Sequence, residues 1–316
     1  MAASGIDKVH ERVYRVPAPF EGGGLVNLYV IRGERTAVVD SGVLGTPTNH
    51  LEPALRSVGL ALSDVDLVLN THGHMDHLGG NAELKDAGAD IALHREDRAL
   101  ADSKRRAVEK AAEGLRAIGL ERMISGREAF LLRLLGREVG VDRVLEDGDI
   151  VDLGADVRLQ VVHSPGHTRG SVCYWWEATG LLITGDSSQA RGSRLGGLPV
   201  LEEPTAYPAS LRRAEAIGAR TLLMGHAFKG PSGDLGPVAS EGRVADIFRE
   251  SHRVHEALAG AFEQIRAEAP GASGGEVARG VVDRLREPFG LLDEQDSGLP
   301  AAGMMTLPSY LRAGGA

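Results

Sequence analysis

A six-residue segment, HGHMDH, places four potential metal ligands in one short loop: His72, His74, Asp76 and His77. His72 and His74 are two residues apart, so in an extended segment their side chains point the same way. Asp76 and His77 follow after a further turn, where they can face a second ion. Residues 66–71, just before the loop, form a short apolar run that predicts a buried strand. The loop is therefore expected at the end of a strand.

Three more potential ligands follow downstream: His167 in SPGHT, Asp186 in LLITGD and His226 in LLMGH. Each comes at the end of an apolar, strand-like run. A single histidine is often merely half-buried and structural. Seven candidate ligands in this order instead satisfy the criteria of ligand identity and number for a metal site. The sequence therefore predicts two adjacent metal ions and a binuclear metallohydrolase.

The ligand set indicates which metals fit. It contains five imidazoles and two carboxylates and no cysteine, which describes a site of nitrogen and oxygen donors. Two divalent ions are expected, with zinc as the default and iron or manganese as alternatives. Two hydrolytic ions usually lie ~3.5–4 Å apart and share a bridging oxygen ligand. Asp186 is the candidate bridge.

Five segments within residues 25–226 are similar to motifs of the metallo-β-lactamase superfamily. They are Val38-Val39-Asp40-Ser41-Gly42, the HxHxDH loop, Gly166-His167-Thr168, Gly185-Asp186 and Gly225-His226. The resemblance implies an α/β fold, a four-layer αββα sandwich of two mixed sheets packed face to face with helices outside.

The resemblance also implies a role for each ligand. His72, His74 and His167 would hold the first metal, Asp76, His77 and His226 the second, with Asp186 bridging and Asp40 orienting the ligand loop. True β-lactamases of this fold commonly have Cys or another residue at the position of Asp186. The chain is therefore more similar to the glyoxalase II, lactonase, thioesterase and phosphodiesterase branches than to a true β-lactamase.

Composition limits the partners and the location of the protein. The net charge is −9, from 35 basic and 44 acidic residues, which argues against a nucleic-acid enzyme. Residues 1–10 contain no apolar signal core, and no run of 18 apolar residues predicts a membrane span. A cytoplasmic enzyme is expected. The single cysteine, Cys173, excludes an internal disulfide, and its apolar segment makes it a poor nucleophile.

Periodicity and turn residues divide the chain in two. Residues 1–236 are predicted to form the sandwich, with a helical insertion at about 95–140, and residues 237–316 a C-terminal helical appendage and tail. Outside the insertion, helices are expected at about 48–59, 81–87, 207–218, 240–269 and 275–287.

The insertion and the appendage each leave two interpretations open. The insertion is either a helical hairpin that caps the sandwich or a lid that supplies an apolar substrate pocket. The appendage either packs as scaffold, with a possible homodimer contact, or walls the substrate cleft.

The predicted reaction is hydrolysis of a thioester or of an ester or lactone by metal-activated hydroxide, with a small-molecule acyl substrate. Asp76 is the candidate catalytic residue, since it could accept or shuttle a proton. Gln189 and Tyr207 could reach the carbonyl or could be ordinary loop residues. The alternatives are an iron-dependent oxidoreductase or dioxygenase on the same fold and a phosphodiesterase.

Overall fold

The computed structural model describes residues 5–21, 23–193, 197–231, 233–240, 242–292, 297–300 and 302–314. The strands are β1 Asp7–His10, β2 Val13–Phe20, β3 Gly24–Arg32, β4 Thr36–Val39, β5 Leu67–Leu69, β6 Asp90–His94, β7 Arg143–Leu145, β8 Ile150–Asp152, β9 Arg158–His163, β10 Val172–Trp176, β11 Leu181–Gly185, β12 Thr221–Met224, β13 Lys229–Gly230, β14 Gly233–Asp234 and β15 Val238–Ser240. The helices are α1 Glu52–Ser57, α2 Met75–Leu78, α3 Asn81–Asp86, α4 Arg98–Asp102, α5 Lys104–Ala117, α6 Ile124–Leu134, α7 Tyr207–Ala216, α8 Gly242–Glu268, α9 Gly274–Phe289 and α10 Gly303–Ala313.

Most strands belong to two mixed sheets. The first sheet has the order β1-β2-β3-β4-β5-β6-β7; its pairs are antiparallel up to β4 and parallel from β4 to β7. The second sheet has the order β15-β12-β11-β10-β9-β8 and is antiparallel except for the β11–β12 pair. Strands β13 and β14 pair with each other in a two-stranded sheet. The prediction of two mixed sheets is confirmed.

Alternating side chains on the strands build separate apolar layers. In β4, Ala37 and Val39 belong to the core between the two sheets, whereas Val38 packs on the opposite face with residues of α1 and α3. Trp175 and Trp176 are adjacent in β10, so they face opposite sides of the second sheet. Trp176 lies in the core between the sheets, and Trp175 packs against the apolar cluster on the outer face of the second sheet. That outer cluster contains α7, α8 and α9. The order helix, sheet, sheet, helix confirms the αββα sandwich.

The predicted C-terminal helices form, and each buries an apolar face. Helix α8 buries Val244, Ile247, Phe248, Val254, Leu258, Ala261 and Phe262, and α9 buries Val277, Val281, Val282 and Leu285. These side chains join the cluster on the outer face of the second sheet. Helices α8 and α9 therefore act as scaffold for the sandwich.

Two segments near the C-terminus differ from their sequence-based interpretation. Residues 303–313, expected as part of a Gly/Ala-rich tail, form helix α10, whose Leu307 and Tyr310 are buried. Residues 229–237, which span the predicted boundary between the sandwich and the appendage, contain the short β13–β14 hairpin, although Ser232 lies outside the described residues. The following strand β15 pairs with β12 in the second sheet. The division after residue 236 stays a prediction, with one strand of the sheet beyond it.

Helices α4, α5 and α6 make up the insertion, which returns to the first sheet through β7. Helix α5 packs against α6 and also against α10. The insertion and the C-terminal helix therefore form one helical unit beside the sandwich. Among the described residues, no helix combines the length and the apolar character that crossing a membrane requires.

Candidate metal centre

The seven predicted ligands converge at one end of the two sheets. Asp40 directly follows β4, the HGHMDH loop follows β5, and the other ligands come after β9, β11 and β12. They form three groups whose ligand atoms lie within 4.8 Å of one another: His72 with His74 and His167; His72 with His77 and Asp186; and Asp76 with His77 and His226. The structure thus brings together every residue of the predicted set.

Four of the five imidazoles direct their Nε2 atoms into the centre. The Nε2 atoms of His72 and His167 lie 3.0 Å apart, and those of His77 and His226 lie 3.3 Å apart. Behind these rings, the Nδ1 atom of His167 lies 2.7 Å from the carbonyl oxygen of Val200. Such contacts fix which nitrogen is left to bind a metal.

Asp186 lies between the two ends of the cluster. Its Oδ2 atom is 3.4 Å from Nε2 of His226, 3.6 Å from Nε2 of His167 and 3.8 Å from Nε2 of His77. Its Oδ1 atom is buried and has no hydrogen-bond partner among the described residues. A buried carboxylate oxygen without a partner is rare in a folded protein, because it loses its hydration without compensation. A bound cation would satisfy it.

Electrostatics prepare part of the cluster to bind cations. Burial and the neighbouring imidazoles lower the pKa of His72 well below its usual range. Burial and His74 lower the pKa of His167 to about 4, although Asp186 opposes the shift. Both imidazoles are therefore neutral at pH 7, the form that binds a metal. The donor chemistry, the convergent Nε2 atoms and the unpartnered Asp186 oxygen fit two divalent cations.

Asp40 supports the ligand loop from behind. Its Oδ2 atom lies 2.8 Å from Nδ1 of His77, and its Oδ1 atom accepts the Thr71 backbone N–H at 2.7 Å. Asp40 has a φ of 62°, in the left-handed region that is strained for most residues with a side chain. This backbone conformation accompanies the contacts to His77 and Thr71. They match the orienting role that the resemblance implies.

Asp97 holds two ligand loops together, and sequence analysis missed it. Its buried carboxylate accepts hydrogen bonds from the backbone N–H groups of Gly73 and Gly170, each at 2.8 Å, and from Oγ1 of Thr168 at 2.6 Å. Burial raises the pKa of Asp97 despite these bonds. Its sequence neighbours, Arg95-Glu96 and Arg98, are charged, so the local sequence does not indicate that its side chain is buried.

Glu202 was also missed. Its Oε1 atom lies 3.1 Å from Nε2 of His74, and its Oε2 atom pairs with Nζ of Lys110 from the insertion. Burial by itself would raise the pKa of Glu202, but His74 and Lys110 outweigh burial and lower it to about 2. His74 and Glu202 are 128 positions apart, so no local sequence pattern joins them.

Gln189 and Tyr207 lie behind the centre and do not line the cavity that adjoins the ligand loop. The Gln189 side-chain amide donates to the carbonyl oxygen of Val200 at 3.0 Å and lies 2.6 Å from Nδ1 of His167. Tyr207 is buried at the start of α7. The structure therefore does not support a contact of either side chain with a substrate carbonyl, and Gln189 instead packs against the predicted ligand His167.

This cavity has a volume of about 800 Å³. Helices α5, α6 and α10 wall it. Apolar side chains dominate the lining: Met75, Leu100, Ala107, Ala111, Leu115, Met123, Phe130, Leu131, Met304, Met305 and Pro308. His74 and Glu202 lie on the side of the cavity that faces the metal centre. Both the insertion and the appendage, through α10, thus contribute to a pocket.

His163, His255 and Cys173 contact groups of the protein outside the ligand cluster. His163 ends β9 and stacks on His94 with ring centroids 4.1 Å apart. His255 hydrogen-bonds to the Tyr310 hydroxyl through Nδ1 at 2.7 Å. Cys173 is fully buried, and burial raises the pKa of its thiol. A thiol in this state is a poor nucleophile.

The sequence profile of the metallo-beta-lactamase superfamily matches residues 22–226, well over half of the chain. The chain therefore belongs to this superfamily of metallohydrolases, and the family predicted from its motifs is confirmed.

Named relatives are similar over most of the chain. The chain is 32% identical over 238 residues to acyl-coenzyme A thioesterase MBLAC2 of Gallus gallus, covering 70% of this chain and 75% of the relative. It is 28% identical over 211 residues to hydroxyacylglutathione hydrolase of Rhodospirillum rubrum, covering 65% of this chain and 63% of the relative. A crystal structure of a metallo-beta-lactamase family protein from Thermus thermophilus has the same fold, with a TM-score of 0.71 and 24% sequence identity. The match covers 98% of this chain and 96% of that protein.

Proposed function

We propose that this protein is a binuclear metal-dependent hydrolase that cleaves a thioester, with a lactone or other ester as the second choice of substrate. One observation carries the proposal: a complete seven-ligand centre opens beside an apolar cavity of about 800 Å³. Both named relatives add support, since one is named as an acyl-coenzyme A thioesterase and the other as a hydrolase of hydroxyacylglutathione.

The ligand groups divide naturally between two ions. His72, His74 and His167 would hold the first, Asp76, His77 and His226 the second, and Asp186 would reach both. Zinc is the expected metal because imidazole and carboxylate donors suit it. Bound divalent cations supply Lewis acidity, which polarises a carbonyl and lowers the pKa of water from 15.7 to about 7.

Asp76 is the group of this chain placed to move a proton. Its Oδ2 atom lies 3.3 Å from Nε2 of His226 and 3.9 Å from Nε2 of His77. Burial alone would raise the pKa of Asp76, but these two histidines outweigh it and lower the pKa below the usual range. The carboxylate is therefore ionised, and its place among the ligands makes it our candidate to relay a proton from the attacking water to the leaving sulfur or oxygen.

The cavity beside the metal centre would select the acyl group of the substrate. Apolar side chains dominate the rest of the lining, so an acyl chain can be buried there while its carbonyl lies at the metal centre. Each buried CH₂ group contributes ~0.8 kcal/mol. Of the two interpretations of the insertion, these lining residues support the one in which it supplies an apolar substrate pocket.

The proposed function predicts a ranking within a panel of acyl-coenzyme A thioesters, lactones, phosphodiesters and a penicillin. Thioesters should give the highest kcat/KM, and the penicillin should be turned over negligibly. Because of the buried methylene groups, an octanoyl thioester should exceed an acetyl thioester by at least ~10-fold in kcat/KM. Steady-state kinetics of the zinc-loaded protein measures both. Best turnover of a phosphodiester or of the penicillin would reject the proposal.

A cavity variant provides the control for this chain-length preference. Ala111 lines the cavity, and Ala111→Trp should fill part of it and reduce the octanoyl preference while sparing the acetyl substrate. Ala129→Trp on α6 places the same ring at an exposed position that does not line the cavity. It should keep the preference. An unchanged preference in Ala111→Trp would show that the acyl chain binds elsewhere.

A further inference from the structure

Glu202 is a buried carboxylate placed between the metal centre and the cavity wall. Only 8% of its side chain is exposed. It lies on the segment between β11 and α7, and its backbone N–H donates to the carbonyl oxygen of Gly166 at 2.9 Å, beside the ligand His167. This bond fixes the backbone of Glu202 to a ligand loop, so its side chain enters the site from a fixed position.

We propose that Glu202 is a positioning residue that holds His74 with its Nδ1 atom turned to the metal. The Oε1 atom of Glu202 lies 3.1 Å from Nε2 of His74, so Nδ1 is the nitrogen left to bind an ion. The other four imidazoles are arranged the opposite way, with Nε2 turned inward. This inference rests on the metal centre of the proposed function.

A charged partner suits this task at His74 in particular. A carboxylate that accepts a ring N–H makes a stronger hydrogen bond than a neutral acceptor, and it raises the basicity of the metal-binding nitrogen. His74 lines the open cavity, and its side chain is 14% exposed, whereas that of His77 is fully buried. Packing therefore restrains His74 less than His77, and the contact with Glu202 compensates.

Lys110 extends the contact into the insertion. Its ammonium group pairs with the second oxygen of Glu202, and both residues line the cavity. Since α5 carries Lys110, the packing of the insertion helps to hold the Glu202 carboxylate in place. The series Lys110, Glu202, His74 thus links the substrate cavity to one metal ligand.

The test compares metal binding in Glu202→Ala, Glu202→Gln and the matched control Glu203→Ala. Glu203 is the next residue, and its carboxylate pairs with Arg169, 3.0 Å away near the surface. Metal dissociation constants come from competition with a chromophoric chelator, and the absorption spectrum of the cobalt-substituted protein reports ligand geometry. Thermal unfolding of each variant shows that it is folded.

Glu202→Ala should weaken the binding of one of the two ions by ~10–100-fold and alter the absorption spectrum of the cobalt-substituted protein. Glu202→Gln keeps a hydrogen-bond acceptor without the charge. Its metal affinity should therefore lie between that of Glu202→Ala and that of the unsubstituted protein. In kinetics, kcat should fall more than KM rises. Glu203→Ala should bind both ions with the same dissociation constants as the unsubstituted protein and should give the same cobalt spectrum.

Unchanged dissociation constants and an unchanged cobalt spectrum in Glu202→Ala would overturn the inference. Equal weakening in Glu203→Ala would also overturn it, since the effect would then belong to the segment and not to the contact with His74. The proposed function fails separately, if the unsubstituted protein with both ions bound hydrolyses no thioester or lactone. Metal affinities in the variants do not depend on that result.

Discussion

Replacing Asp186 with asparagine should lower kcat/KM for the thioester by at least ~100-fold, at saturating metal. Asparagine keeps the size of the side chain and removes its charge. A neutral amide is a poorer bridge between two cations, so their mutual repulsion is less compensated. Loss of a group that supports a ligand already costs about 10–100-fold, and Asp186 would bind the ions directly. Steady-state kinetics with metal analysis of the same sample measures the effect.

Asp152→Asn is the matched control. Asp152 ends β8 at the surface, where its carboxylate lies 3.6 Å from Nε of Arg158. Exposed ion pairs contribute little to stability, and this pair lies outside the ligand groups. The control should therefore change turnover little. Equal turnover in Asp186→Asn and Asp152→Asn would mean that the reaction takes place at a different site.

Deleting residues 242–316 should prevent the protein from folding in soluble form. The deletion removes α8, whose six large buried apolar side chains contribute on the order of 10 kcal/mol. It also uncovers Leu222 and Met224 of β12 and Leu182 of β11, which share the same cluster. That loss is comparable to the whole free energy of unfolding of a typical domain, about 5–15 kcal/mol. Soluble yield and circular dichroism measure the result.

Two point variants refine the deletion. Leu258 is fully buried in the cluster beneath α8, so Leu258→Ala should lower the free energy of unfolding by ~2–5 kcal/mol. Glu263, on the exposed side of the same helix, should change it by no more than ~0.5 kcal/mol when replaced by alanine. A deleted protein that stays soluble and unfolds cooperatively would show that residues 1–241 form an independent domain.

The sequence predicted the residues of the ligand cluster because each follows an apolar run. The ends of β5, β11 and β12 lie at the same end of the sandwich, so ligands placed just after these strands must approach each other. The family was predictable because its motifs are specific. The buried face of α8 was predictable because its apolar residues recur with the period of a helix.

The supporting residues were not predictable, because their roles depend on contacts between distant parts of the chain. Glu202 lies 92 positions from Lys110 and 128 from His74, and each is an ordinary residue in its own segment. Helix α10 was missed because Pro308 interrupts a Gly- and Ala-rich stretch whose helical propensity is weak. Packing against α5 stabilises this helix, and packing partners cannot be inferred from a single segment.

Elemental analysis of the fully loaded protein tests the central claim most directly. The protein is stripped with a chelator, reloaded with excess zinc, freed of unbound metal and measured against its protein concentration. Three ligand groups, linked to one another through His72 and His77, predict two ions per chain. A plateau at one ion per chain would contradict the bridging role of Asp186 and the binuclear mechanism with it.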